Sequence, residues 1–140
     1  MSSEKAQGLE LRLEAIATSF RDVLEWKWDG RFKTALAEFA ADKKDDVLGI
    51  LGQFLTTVWN ASSINDAPDA VVQVKKSLGG LMPGQLLLVS DDALTAFIYC
   101  AWWPWGNGQK ISIRVAPFGE DMSAEDKATL VAAVHRIFEI

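Results

Sequence analysis

The sequence predicts an α+β domain with a helical N-terminal half, a three-stranded antiparallel meander, and a C-terminal helix packed on the sheet. Three observations support this fold class. Apolar residues recur at three- and four-residue steps in the first half, as in amphipathic helices. From Gln85 onward the apolar stretches become short, alternating and bounded by turn residues. The length of 140 residues without a linker or repeat favours a single domain over residues 1–140.

Four helices are expected in the N-terminal half. Their apolar stripes begin at Leu9, Phe32, Val47 and Val71 and end at Leu24, Phe39, Trp59 and Leu78. Trp28-Asp29-Gly30 reads as the break after the first helix. Asp45 or Asp46 suits the N-terminus of the third helix, and Pro68 suits the first turn of the fourth. Gly79-Gly80 is expected to end the fourth helix.

Three strands and a last helix are expected in the C-terminal half. The strands are Gln85 to Ser90, Leu94 to Trp103 and Lys110 to Ala116. Asn107-Gly108 between the last two strands is a strong hairpin signal, because both residues tolerate the positive φ of a type I′ turn. The last helix starts at Ser123, with Asp126 three residues later as in a capping box.

The hairpin turn fixes which side chains share a face. If Asn107 and Gly108 form the turn, the numbers of paired residues sum to 215, so that Trp102 faces Ile113 and Cys100 faces Val115 on an apolar core side. The other side pairs Trp103 with Ser112, Ala101 with Arg114, and Trp105 with Lys110, and Tyr99 continues it. The third strand alternates between apolar and polar residues, which predicts an edge strand with one solvated face.

Charge and cysteine content exclude several classes of partner. The formal net charge of −5 disfavours binding to phosphate backbones, so no nucleic acid partner is expected. No apolar run reaches the length of a membrane span, and the first fourteen residues do not resemble a secretory signal, so no membrane partner is expected. The single cysteine, Cys100, lies in an apolar run and is expected to be a buried thiol. A reducing cytoplasm is the expected location.

No catalytic residue, cofactor site or metal site is predicted. One histidine, His135, and one cysteine supply neither a nucleophile–base pair nor a zinc site. The glycines at 79, 80 and 84 do not have the spacing of a phosphate-binding loop. Three acidic pairs near turns leave a carboxylate-dependent hydrolase as an alternative, and they are Asp91-Asp92, Glu120-Asp121 and Glu125-Asp126.

Six tryptophans are the unusual feature of the composition. Trp59 and Trp102 are expected in the core, and Trp26 and Trp28 at a helix end. Trp103 and Trp105 share the polar side of the hairpin with basic residues, a composition that resembles interaction hot spots.

The resulting hypothesis is a small, acidic, non-enzymatic module that binds a protein partner or a second copy of itself, as an adaptor, a chaperone or an immunity-type partner does. Its expected binding residues are Tyr99, Trp103, Trp105, Lys110 and Arg114. Burial of these indoles under the N-terminal helices is the competing structural interpretation. A small-ligand site in a tryptophan-lined pocket is the alternative function.

Overall fold

A computed structural model describes residues 4–91 and 93–140. The described residues form one antiparallel sheet of six strands in the order β1-β2-β6-β5-β4-β3, together with four α-helices. The helices are α1 (Glu4–Ser19), α2 (Lys44–Leu51), α3 (Asp69–Ser77) and α4 (Ala124–Phe138). The strands are β1 (Lys27–Asp29), β2 (Thr34–Ala40), β3 (Thr57–Asn60), β4 (Leu86–Val89), β5 (Ala96–Pro104) and β6 (Lys110–Gly119). Short 3-10 turns precede α2 (Ala41–Lys43) and α3 (Ile64–Asp66).

The predicted three-stranded sheet beside a helical N-terminal half is therefore wrong, although the α+β class holds. Three of the six strands come from the N-terminal half, where four helices were expected. These strands extend the sheet on both sides of the β4–β5–β6 meander, with β2 and β1 beyond β6 and β3 beyond β4.

The expected second helix is the strand β2. Ala35, Ala37 and Phe39 alternate along it and are buried on one face, whereas Leu36 and Glu38 lie on the other face. Alanine, leucine and glutamate are strong helix formers, and the local sequence therefore favours a helix. Pairing along β6, in the register Ala37 to Ile113, satisfies the backbone and overrides that preference.

The expected third helix divides into α2 and β3. Gly49 and Gly52 lie inside the expected helix, and each weakens a helix by about 1 kcal/mol relative to alanine. The three residues from Thr56 to Val58 are all β-branched and favour an extended chain. The helix therefore ends at Leu51, and Thr57–Asn60 pairs with β4.

The C-terminal elements lie close to their expected positions. The meander β4–β5–β6 is antiparallel throughout, and α3 begins just after Pro68 as expected. Ser123 is the N-cap of α4, and its Oγ accepts a hydrogen bond of 3.0 Å from the backbone N–H of Asp126. This bond satisfies one of the amides that the first helical turn leaves without a partner.

Both faces of the sheet carry a core. On the first face, α1, α2 and α4 cover a large apolar cluster whose sheet residues include Ala35, Ala37, Cys100, Trp102, Ile113 and Val115. On the second face, α3 covers a smaller cluster whose sheet residues are Leu87, Val89, Phe97, Tyr99, Ala101 and Ala116. Because α3 is short and lies over the β3–β4–β5 side, it leaves the β1–β2–β6 side of the second face without a helix.

Candidate functional site

The register of the β5–β6 hairpin is as the sequence predicts. Trp103 pairs with Ser112 and Ala101 pairs with Arg114, and the backbone N–H of Trp105 donates to the carbonyl of Lys110 at 2.8 Å. The loop has four residues, 106–109, and Gly108 has a φ of 72° whereas Asn107 does not have a positive φ. The expected two-residue type I′ turn is therefore wrong, but one residue is added on each side, so the pairing sum of 215 is unchanged.

Strand β6 is not the edge strand that its alternation predicted. It lies between β5 and β2, because β2 pairs with it from Lys110 to Val115. Its polar residues nevertheless face outward, onto the part of the second face that α3 does not cover. We call this surface the open half-face; its sheet residues are Lys27, Asp29, Leu36, Glu38, Trp103, Trp105, Lys110, Ser112 and Arg114.

Arg114 is the centre of the open half-face. Its Nε donates to Asp29 Oδ2 at 2.7 Å, and the two side chains are only 17% and 12% exposed. Its guanidinium carbon lies 4.4 Å from the ring centre of Trp103 and 5.5 Å from that of Phe32. The Phe32 ring contacts Trp103 edge-to-face, with centroids 5.7 Å apart. Arg114 is thus held by a carboxylate and two aromatic rings, which fixes its position.

Trp105 is the exposed aromatic residue of this surface. It is 39% exposed, and its indole N–H donates to Ser112 Oγ at 2.8 Å. The ammonium of Lys110 lies 5.3 Å from the centre of the indole ring. The hydrogen bond and the cation–π contact hold the indole in one orientation while part of its surface stays open to solvent.

An ion pair completes the surface on the side of β1. Lys27 Nζ lies 2.8 Å from Glu38 Oε1, and the hydrogen bond from Lys27 lowers the pKa of the Glu38 carboxyl. Lys27 is 64% exposed, so the pair is solvated. Lys27, Asp29, Phe32 and Glu38 were absent from the predicted site because β1 and β2 were read as a break and a helix. The alternation of Ala35, Ala37 and Phe39 was a sequence signal for β2 and so for Glu38, but it gives none for the residues of β1 and the turn.

Tyr99 is not part of the open half-face, although it lies close enough for the charge of Asp29 to act on its phenol. It belongs to the cluster beneath α3, and burial raises the pKa of its phenol to about 12. It also contributes to the wall of a cavity of about 320 Å³ at the end of β6. The structure therefore groups four of the five expected binding residues on one surface and places the fifth at another.

The other tryptophans pack in the interior and at element ends. Trp102 is buried on the first face, and Trp26 lies between Phe20 and Phe138, with ring centroids 5.8 Å and 4.8 Å away. Trp28 stacks on His135 at 3.9 Å. Trp59 is half-buried beside the cluster under α3 and lines a cavity of about 310 Å³, the place where a tryptophan-lined ligand pocket can be sought.

The histidine and the cysteine of the chain lie in packed or hydrogen-bonded surroundings. His135 Nδ1 lies 2.9 Å from the carbonyl oxygen of Ile140, near the end of α4. Burial raises the pKa of the Cys100 thiol, as expected for a core residue. The described residues hold no group of three or more acidic, histidine or cysteine side chains placed to bind a metal ion.

Two carboxylates of the alternative hydrolase, Asp91 and Glu120, have separate hydrogen-bond partners. Asp91 accepts hydrogen bonds from the hydroxyls of Thr56 and Thr57, while Glu120 accepts one from the amide of Gln73 at 3.3 Å. Asp92 lies outside the described residues.

Comparison with known proteins gives no relative from which a function could be transferred. The chain matched no family, no curated protein and no solved structure. Among the described residues, no helix is long and apolar enough to cross a membrane.

Proposed function

We propose that this protein is a non-enzymatic binding module that holds an acidic segment of a partner protein on its open half-face. One observation supports this proposal above the others: Trp105, 39% exposed and held in one orientation, lies beside Lys110 on a sheet surface that no helix of the described residues covers. Tryptophan and arginine are the residue types most enriched where binding energy concentrates in protein interfaces.

The charge of the surface favours an acidic partner. The open half-face and the turn between β1 and β2 carry five cations, Lys27, Arg31, Lys33, Lys110 and Arg114, against two carboxylates, Asp29 and Glu38. This local excess of three positive charges contrasts with the net charge of −5 for the whole chain. A cationic surface on an acidic protein steers negatively charged segments toward that surface and repels others.

The same charge argues against a second copy as the occupant. In a two-fold dimer formed through this face, each open half-face meets an identical one, so that two surfaces with the same excess of positive charge come together. The excess positive charge then opposes association unless the carboxylates are placed to compensate it. A different protein that offers carboxylates around an apolar side chain has no such penalty.

The fixed orientations of Trp105 and Arg114 favour a role in binding over a role in packing alone. Ser112 fixes the indole of Trp105, and Arg114 is fixed between Asp29 and Trp103. Side chains that are already ordered lose little conformational entropy on binding, which leaves more of the contact energy as affinity. Leu36, half-buried between them and β1, adds apolar surface.

A displayed library of random peptides tests the proposal. Selection on the native protein is expected to enrich peptides that combine glutamate or aspartate with a large apolar residue. The variant Trp105→Ala with Lys110→Glu should retain few of them, and higher salt should weaken binding because the charges are exposed. The matched control is Leu11→Ala with Lys5→Glu, which truncates an exposed apolar residue of α1 to alanine and makes the same charge change at an exposed lysine.

Three outcomes refute this function. Peptides without acidic enrichment, or peptides that bind the Trp105/Lys110 variant as well as the native protein, show that the open half-face is not the binding surface. The oligomeric state of the native protein and of Trp105→Ala is measured by sedimentation equilibrium. A native dimer that Trp105→Ala dissociates would assign the open half-face to a second copy, contrary to the proposal.

A further inference from the structure

The cavity of about 320 Å³ that includes Tyr99 arises because two neighbouring strands differ in length. The pairing between β2 and β6 ends at Ala35 with Val115, but β6 continues to Gly119. Beyond Ala116, β6 has β5 on one side and no strand on the other. Phe32 and Lys33 before β2, Gln73 of α3, and the N-terminal half of α4 surround the space that remains.

The walls of this cavity are mostly apolar. Phe32 and Phe118 contribute aromatic rings, and Leu130, Val131 and Val134 of α4 contribute aliphatic side chains. The volume is at the lower end of the range for small-molecule sites, and an apolar lining with a few polar groups is typical of such sites. These walls suit the hydrocarbon part of a small ligand.

Three polar groups of the lining can bind an anionic head group. Lys33 and Lys127 both line the cavity, and neither forms an ion pair within the part of the chain that the structure describes. The Tyr99 hydroxyl has no hydrogen-bond partner among the described residues, and because burial raises the pKa of the phenol to about 12, it stays protonated and can donate. Glu120 is the one carboxylate among the described residues that line the cavity, and it accepts a hydrogen bond from Gln73. Together with Lys33 and Lys127 it gives the lining a net charge of one positive unit.

The backbone of Lys33 adds an independent indication. Its φ is 57°, in the left-handed region, at the last position of the four-residue loop between Asp29 and Thr34. Glycine adopts this conformation without strain, whereas a lysine there is strained. A strained residue whose side chain lines a cavity is a recurring feature of binding sites.

We propose that this cavity binds a small apolar carboxylate, with the hydrocarbon part against Phe32, Phe118 and α4 and the carboxylate near Lys33, Lys127 and Tyr99. The site adjoins the open half-face, because Phe32 lines the cavity and also contacts Trp103, but the proposal does not depend on the function proposed for that face. The carboxylate can belong to a free organic acid or to the C-terminus of a peptide, since both present the same head group.

Octanoate and octan-1-ol serve as matched probes, with N-acetyl-Leu-Leu and its C-terminal amide as the peptide pair. Binding is measured by chemical-shift changes in two-dimensional NMR spectra of the native protein. Each carboxylate is expected to bind more tightly than its neutral match, with the shifts centred on Phe118 and Lys127. The carboxylate with the lower Kd identifies the source.

Variants separate recognition from folding. Lys33→Gln and Lys127→Gln should each raise the Kd for octanoate about threefold, the effect of an exposed charge contact. Lys5→Gln, on α1, should leave it unchanged. Val131→Trp should fill the cavity and abolish octanoate binding. Val23→Trp is the matched control, because Val23 is equally exposed, 37% against 36%, but does not line this cavity. Lys33→Gly should raise the unfolding midpoint and still weaken binding, because glycine relieves the strain and removes the ammonium.

The proposal is overturned if neither carboxylate binds at millimolar concentration, or if octanol binds as tightly as octanoate. It is also overturned if the two lysine variants, shown to be folded by their spectra, bind octanoate as the native protein does.

Discussion

The ion pair between Arg114 and Asp29 is expected to contribute far more to stability than the pair between Lys27 and Glu38. Both pairs lie on the same face, and their N–O distances, 2.7 Å and 2.8 Å, are nearly equal. They differ in burial, since the first pair is 17% and 12% exposed and the second 64% and 28%. The first pair also involves an arginine that stacks on Trp103 and the second a lysine, and burial is the difference whose effect the comparison tests.

The expected magnitudes follow from that difference. A hydrogen bond to a charged group contributes about 1.5–3 kcal/mol when water is largely excluded, and an exposed pair about 0.2–1 kcal/mol. The cation–π contact of Arg114 with Trp103 adds about 0.5–1 kcal/mol to the loss in Arg114→Ala. We expect Arg114→Ala to cost about 3 kcal/mol, with a coupling energy to Asp29 of about 2 kcal/mol. The coupling between Lys27 and Glu38 should stay below about 1 kcal/mol.

Double-mutant cycles measured by urea unfolding test this comparison. The cycle of Arg114→Ala with Asp29→Ala measures the coupling of the pair alone. The lost stacking of Arg114 on Trp103 and the lost hydrogen bond from the Arg31 N–H to Asp29 Oδ1 each occur in one single variant and again in the double variant, so they cancel. The matched cycle uses Lys27→Ala with Glu38→Ala. Raising the salt concentration should reduce the second coupling more than the first, because solvated charges are screened more strongly. Equal couplings in the two cycles would show that burial on this face does not strengthen the pair.

Three further results are expected. The one tyrosine of the chain, Tyr99, should titrate near pH 12 by its absorbance at 295 nm. This pKa lies above the unfolded value of about 10, so burial of the protonated phenol contributes to the free energy of unfolding below pH 10, and this contribution is lost as the pH rises toward 12. Titration of the phenol of the folded protein near pH 10 would contradict its burial. Cys100 should react with a thiol reagent about 10³-fold or more slowly than in urea-unfolded protein, since the core must open first; comparable rates would place the thiol at the surface. Ser123→Ala should lower the free energy of unfolding by about 1 kcal/mol in urea titrations, and an unchanged midpoint would mean that the cap is unimportant.

Local signals were sufficient for the C-terminal half of the fold. The turn residues at 107 and 108, with alternation on both flanking strands, set the register of β5 against β6, and a four-residue loop in place of two preserved the pairing. Likewise Ser123 and Pro68 marked the starts of α4 and α3 because capping depends on neighbours in the chain.

The N-terminal half shows where local signals fail. The local preference of residues 34–40 is for a helix, and the strand forms because β6 offers a partner 70 to 80 positions further along the chain. No local pattern reports that partner. For β3 the sequence did contain a local signal, since Gly49 and Gly52 weaken a helix and residues 56–58 are β-branched. The helical spacing of apolar residues from Val47 to Trp59 was given more weight, and a single helix was predicted.

The sequence by itself determined that Trp103, Trp105, Lys110 and Arg114 share one side of a hairpin, because side chains alternate strictly along paired strands. The tertiary structure alone decided what surrounds that side. Pairing of β2 with β6 brought Asp29, Phe32 and Glu38 to it, and the placement of α3 buried Tyr99 while leaving Trp105 exposed. These outcomes depend on contacts between distant segments, whose free energy arises only when the whole sheet is assembled.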